Sequence, residues 1–342
     1  MEESLIEVVA NISEGRDKDT IYCLEDVLRS YKSVYHLHTD IGESTNRSVI
    51  TYAAIPAVVK EVTFEFVRMA TSLIDMEKQQ GAHPRIGAVD VVPFIPLCNC
   101  SMEEAIQTAK EVAKRVGREL QIPVYLYANN ATSAERKRLP FIRKGEYEGL
   151  EKRMREGFTP DYGPTIFNKK SGATVMGARN IMVAYNINLN SDNVDVAKKI
   201  AAICRSQKSL LNGKTVGGTF EGLQAKGWYI DQYKCAQVTC NIHDTNSTSL
   251  HGLYNQVKTL AKDYGINLNG SELIGLVPKE YLLKSGYFFA HNKEIEPNIT
   301  LSAKLSKTDQ QTLIEVAIEE LGLKSVRPFN PDLQIIESVL ML

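Results

Sequence analysis

Apolar positions along this chain recur with two periods, one near two residues and one near 3.6, and the switches between them mark out the elements. β-Rich alternation covers Leu5 to Ile12, a helical stripe runs from Lys18 to Arg29, and two neighbouring strand patterns follow at Ser33 to Ile41 and Arg47 to Ile55. Pro56 opens a long amphipathic helix to Ile74, in keeping with the tolerance of proline in a first helical turn. Ile86 to Val92 reads as a strand, Met102 to Leu120 as a helix and Val124 to Tyr127 as a strand. The order is β-α-β-β-α-β with an appended αβ.

A charged, helix-compatible connection (Ala134 to Phe158) and a turn-rich loop (Thr159 to Gly172) precede a second round of the same order. Its strands are expected at Asn180 to Leu189, Leu223 to Ile230, Cys235 to Ile242 and Glu272 to Val277, with helices at Val194 to Arg205 and Ser249 to Tyr264. The expected fold is α/β (α+β): two ferredoxin-like split-βαβ subdomains, each a sheet covered by helices, and a short helical C-terminal tail. The subdomains are expected at 1–178 and 179–300, with the tail at 301–342. No clear sequence repeat relates the halves, so the repetition is one of pattern.

Composition narrows the function classes. In 342 residues, Lys+Arg number 40 and Asp+Glu 41, a formal net charge of -1, so no global basic field draws the chain to nucleic acid or to an anionic membrane. The opening MEESLIEVVANISEG lacks the basic-then-apolar pattern of a secretory leader, and no apolar run approaches the roughly 20 residues of a bilayer span. A cytoplasmic protein is the expectation. Cys23, Cys98, Cys100, Cys204, Cys235 and Cys240 are dispersed, which fits reduced thiols, and the lone Cys98/Cys100 pair has no second pair at zinc-ligand spacing.

Three segments carry candidate chemistry. In "QQGAHPRIGAVDVVPFIP", Pro84 biases His83 away from helical backbone and the flanking glycines allow turns, so His83 is expected on a loop. In "YHLHTDIGESTNRSV", strand alternation would set His36, His38 and Asp40 on one face, a possible metal set, while Glu43, Ser44, Asn46 and Arg47 crowd the turn that follows. The simpler reading leaves His36 and His38 as half-buried strand positions, with Asp40 alone at a functional surface. In "DYGPTIFNKKSGATVMGAR", glycines permit close backbone approach to a ligand, and Lys169, Lys170 and Arg179 could meet an anion. An exposed linker reads the same way, and no phosphate-loop or dinucleotide fingerprint is present.

"VVANISEG", "TDIGESTNRSV", "GAHPRIGAVDVVPFIP", "IPVYLY", "LPFIRKGEYEGL", "PDYGPTIF", "SGATVMGARNIMVAYNINL", "KGWY" and "LIGLVP" together resemble the glutamate formiminotransferase family, in the family's order, from about Glu7 to Pro278. The likeness is expected to be to the stand-alone transferase, since the bifunctional members continue into a cyclodeaminase. Ala10 and Ile12 depart from the family's VPNFSEG, His36 and His38 lie outside its pattern, and the segment from Ser206 to Gly222 looks longer than usual.

The resemblance implies transfer of a formimino group between N-formimino-L-glutamate and N5 of tetrahydrofolate, a co-substrate, in a homodimer with small-molecule partners and no metal. His83 matches the family's catalytic histidine. It is expected to take a proton from the incoming amine and give one to the departing nitrogen, titrating near the free imidazole value of about 6.5. Asp40, or less well Asp90, would favour the cationic amidine. Arg47 and Arg85, with Asn46, would bind substrate carboxylate. The loop Gly163, Pro164, Thr165, Ile166, Phe167, Asn168, Lys169, Lys170, Ser171 and Gly172 matches the folate-binding segment. Three alternatives stand beside this reading: a formyltransferase acting on 5-formyltetrahydrofolate, a metal-dependent hydrolase using His36, His38 and Asp40, and a non-catalytic folate-binding protein.

Overall fold

The computed structural model describes residues 3–340 apart from 44, 82, 212, 297 and 298, so Ser44 of the polar turn lies outside the described residues. The chain divides into two compact units, Met1–Asn180 and Ile181–Leu342.

The first unit runs β1 (Ile6–Ile12), α1 (Lys18–Arg29), β2 (Tyr35–Gly42), β3 (Arg47–Ala54), α2 (Pro56–Leu73), β4 (Val89–Pro96), α3 (Met102–Glu119), β5 (Val124–Leu126), α4 (Leu139–Ile142), α5 (Glu146–Arg155) and β6 (Thr174–Ala178). The helices begin where side chains or proline answer the free first-turn amides: Asp17 accepts from Asp19 and Thr20, Pro56 opens α2, and Ser101 accepts from Glu104. The six strands lie in the order β2-β3-β1-β4-β6-β5. The first four are antiparallel neighbours, the split-βαβ arrangement, and β6 and β5 extend the sheet in parallel. The sequence pattern missed β6, whose five residues are all buried and therefore show no alternation.

One face of this sheet is apolar: Ile6, Val8, Ile50, Tyr52, Val92 and Phe94 meet the inner sides of α1, α2 and α3. On the other face, Ile142, Leu150 and Met154 of α4 and α5 cover Val91, Tyr125 and Val175. The rest of that face, on β1, β2 and β3, is largely polar. Cα pairing places Asp40, Val49, Asn11 and Val91 in one transverse row, with His38 beside Thr51 in the next.

The second unit continues with β7 (Val183–Leu189), α6 (Val194–Cys204), the hairpin β8 (Ser209–Leu211) and β9 (Lys214–Val216), then β10 (Leu223–Ile230), β11 (Cys235–Ile242), α7 (Leu250–Lys262), β12 (Leu268–Ile274), α8 (Lys279–His291), α9 (Lys307–Glu320), α10 (Pro331–Gln334) and α11 (Ile336–Val339). Its sheet order, β10-β11-β7-β12, is the split-βαβ order again. The hairpin occupies the long segment between Ser206 and Gly222. Leu313, Ile314, Ala317 and Ile318 of α9, with Leu321 just after its end, belong to the same apolar core as Tyr185, Val238 and Leu253, so the tail buries its helix in this unit. On the face of the sheet away from that core, Gln237 donates to Asn188 (2.7 Å) and to Glu272 (2.9 Å), and Trp228 donates to Gln237 (2.7 Å).

Candidate active site

The strand expected at Ile86 to Val92 starts three residues later, at Val89, because Ile86 to Ala88 runs against another segment. Ala88 N–H donates to the Ser171 carbonyl and Ala173 N–H to the Ile86 carbonyl, each at 2.9 Å. Gly87 and Gly172 face each other at the crossing. A Cβ on Gly87 would lie 2.1 Å from the Ala173 carbonyl oxygen, and Gly172 has φ +65°, so both positions need glycine. The histidine loop and the Gly163 to Gly172 loop are therefore fastened together only a few residues from His83.

His83 is half-buried, and its Nδ1 lies 2.8 Å from the Pro84 carbonyl oxygen. A carbonyl only accepts, so Nδ1 carries the proton and the basic lone pair of the neutral ring sits on Nε2. Burial, then the guanidinium groups of Arg47 and Arg143, push its pKa down to about 4. These surroundings favour the neutral ring over the protonated one, against the expectation of a titration near 6.5.

Those two guanidinium groups meet on one carboxylate. Pairing jumps from Asn11↔Val91 to Ile12↔Val89, so Asp90 is the extra residue of a bulge in β4. Asp90 is fully buried; it accepts from Arg47 Nη1 (2.6 Å), from Arg143 Nη2 and Nε, and from the Ile86 amide (3.0 Å). Burial opposes its ionisation, yet Arg143 and Arg47 hold its pKa below the usual carboxylate value. With both oxygens taken, Asp90 is not free to face a substrate amidine, which corrects that reading of it. Arg47 also donates to Asn11 Oδ1 at 2.7 Å.

Asp40 lies on the same sheet face as Arg47, at the β2 end of the row that holds Asn11. Asn46 adopts φ +49°, a left-handed conformation that asparagine tolerates, and its amide is spent on the Gly15 N–H, on Gln79 and on the Gln80 carbonyl. Together with Glu14, whose Oε1 accepts from the Gly15, Arg16 and Asp17 amides, it ties the polar turn to the histidine loop. Arg85 is likewise committed, to Glu148 (2.7 Å), Glu146 (3.3 Å) and the Gln79 carbonyl (3.0 Å). It lines an open cleft of about 490 Å³ with Gln80, Gly81, Gly145, Glu146 and Glu148, where two carboxylates already face its guanidinium.

Pairing shifts between His36 and His38, which sets them on opposite faces of β2. His36 turns to the helix side, with Nε2 2.8 Å from Thr39 Oγ1, so the alternation behind the His36/His38/Asp40 metal set is broken. In the second loop, Ile166 is 78 % exposed, Lys170 Nζ donates to the Ser72 carbonyl (3.0 Å), and the Lys169 carbonyl accepts from the Tyr147 hydroxyl (2.6 Å).

Glu7 is a buried carboxyl on the polar face whose Oε2 has no hydrogen-bond partner. Burial raises its pKa from 4.5 to about 7, with Arg179 opposing. A pKa raised on folding contributes stability below pH 4.5 that is lost as pH rises through about 7. Glu7→Gln is therefore expected to stabilise the protein at pH 8 by up to about 3 kcal/mol and to be near neutral at pH 5. Equal denaturant midpoints for variant and parent at both pH values would refute the buried ionisation.

Residues 5–179 match the model of the formiminotransferase domain, N-terminal subdomain, and residues 184–341 that of the formiminotransferase domain. The chain belongs to the formiminotransferase family. Among curated relatives of this family, the formimidoyltransferase-cyclodeaminase of Gallus gallus is 39% identical over 334 residues, 97% of this chain and 59% of that protein. The glutamate formimidoyltransferase of Streptococcus pyogenes serotype M1 is 36% identical over 293 residues, 85% of this chain and 95% of that protein. The enzyme of the same name from Thermoplasma acidophilum is 35% identical over 307 residues, 89% and 98%. The chain thus spans about three fifths of the cyclodeaminase-type relatives and nearly the whole of the other two formiminotransferase relatives.

Arg143, like Asn11 and Glu14, is a residue of this site that the sequence pattern did not mark. It lies inside "LPFIRKGEYEGL", where a charged, helix-compatible stretch gives no local sign that one arginine turns inward. No helix among the described residues is long and apolar enough to cross a membrane.

Proposed function

We propose that this protein is a glutamate formimidoyltransferase that moves the formimino group between N-formimino-L-glutamate and N5 of tetrahydrofolate. The observation that carries the reading is the His83 ring, with Nδ1 held by a carbonyl and Nε2 basic at neutral pH beside a cationic cluster. Relatives named for this activity, matched along nearly their whole length, support it.

In the forward direction N5 attacks the amidine carbon and gives a tetrahedral adduct. His83 Nε2 takes the proton that N5 loses and returns it to the glutamate nitrogen as that C–N bond breaks. Asp40 is the carboxylate that favours the protonated, electrophilic amidine. Tetrahydrofolate is the co-substrate, held by the Gly163 to Gly172 loop, with Lys169 and Lys170 toward its anionic arm. The partners are small molecules and a second copy of the chain, and the enzyme works in the cytoplasm.

Rates with formiminoglutamate and tetrahydrofolate, set beside those with a 5-formyl donor and glutamate, test the assignment. Formimino transfer is expected to be faster by at least about tenfold, because a site built to bond the formimino N–H leaves a polar group unpaired against the formyl oxygen. A reversed preference would assign the protein to formyl transfer. Folate binding with neither reaction would leave a binding protein.

A further inference from the structure

Asp90 cancels only one of the two guanidinium charges that meet on it, so the Arg47, Asp90 and Arg143 cluster keeps one net positive charge. Both arginines also retain N–H donors that no acceptor takes among the described residues. Arg143 still exposes 13% of its side-chain surface, so a ligand can reach it. The charged groups that act on His83 are these same three residues, brought from β3, from the start of β4 and from the end of α4. Arg85 cannot take this part, because Glu146 and Glu148 already neutralise it.

We propose that the Arg47, Asp90 and Arg143 cluster is the subsite for a carboxylate of the glutamate-type substrate, and that filling it removes the net positive charge facing His83. Asp90 is the positioning residue: it fixes both guanidinium groups as one preorganised fork and leaves their outer donors for the ligand. Burial and the two arginines disfavour the protonated His83 ring; a bound carboxylate offsets the second of these causes, so the imidazole holds a proton more readily in the complex. A ring whose basicity rises once substrate is seated can take the proton from one nitrogen and hold it for delivery to the other. This inference rests on the transferase reading for its substrate but not for its test.

The test is an NMR titration of the full-length protein carrying labelled histidine, with His83→Gln to assign the signal, in the presence and absence of L-glutamate and of glutarate, which has the two carboxylates but no amine. The His83 midpoint is expected below about pH 5 in the free protein and to rise by about one unit or more with either ligand. Arg143→Met should weaken glutamate binding by about tenfold or more, the scale of a charge-assisted bond, start from a higher His83 midpoint and show a smaller rise; Arg143→Lys should keep part of both effects. Ligand binding with an unmoved His83 midpoint, or Arg143→Met binding as the parent does, would overturn the subsite. A glutarate-induced rise in a protein that transfers no formimino group would uphold the subsite while removing the transferase reading.

Discussion

His83→Ala is expected to lower turnover by about two to four orders of magnitude, the range for a positioned acid/base, while leaving the unfolding midpoint within a few degrees of the parent. The ring is half-buried on a loop, and the hydrogen bond it forms goes to the carbonyl of its own neighbour, so little of the fold depends on it. Loss of rate without loss of structure is the informative combination. It is read by steady-state rates at saturating substrates together with a thermal melt on the same sample. Turnover within about threefold of the parent would place the proton transfers elsewhere.

Asp90→Asn is expected to act mainly on stability. Asp90 is fully buried and is the counter-ion of Arg47, itself only 9% exposed, and of Arg143. Removing one partner of a buried ionic cluster leaves the other charges uncompensated, at about 3–5 kcal/mol. For a domain of this size that corresponds to a fall in melting temperature on the order of 10 °C. The pH dependence has a definite sign. Because the folded state holds the Asp90 pKa below its ordinary 3.8, its ionic stabilisation is present above that value and is lost as pH falls further. The gap between parent and variant should be complete at pH 7 and narrow below about pH 3.8. A variant as stable as the parent at pH 7 would show that the cluster contributes nothing net.

The two predictions separate the roles within one small region. His83 is expected to act through Nε2 and to carry little structural responsibility. Asp90 has both oxygens satisfied and acts through the arginines it holds. Activity lost through Asp90→Asn is therefore expected to track misplacement of Arg47 and Arg143 and to be partly recovered at low temperature, where the fold is retained.

The residue pattern by itself determined the periods, and with them most elements and the repeated split-βαβ order. The caps were local too: Asp17, Pro56, Ser101 and Ser249 sit where each helix begins because a side chain or a missing amide satisfies its first turn. His83 was legible for the same reason, since Pro84 and the neighbouring glycines restrict its backbone within a few residues. What the pattern could not carry was decided by partners distant in sequence. Strand β6 has no alternation because both of its faces are buried, and the shift in β2 that parts His36 from His38 exists only in the pairing with β3. Arg47 and Arg143 lie 43 and 53 residues from the carboxylate that joins them, and Arg85 meets Glu146 and Glu148 where Arg47 meets Asp90. Backbone preference acts over a few bonds and is written in neighbouring residues; charge compensation acts through space over a few ångströms, so only the tertiary structure determined which arginine meets two carboxylates and which two arginines share one.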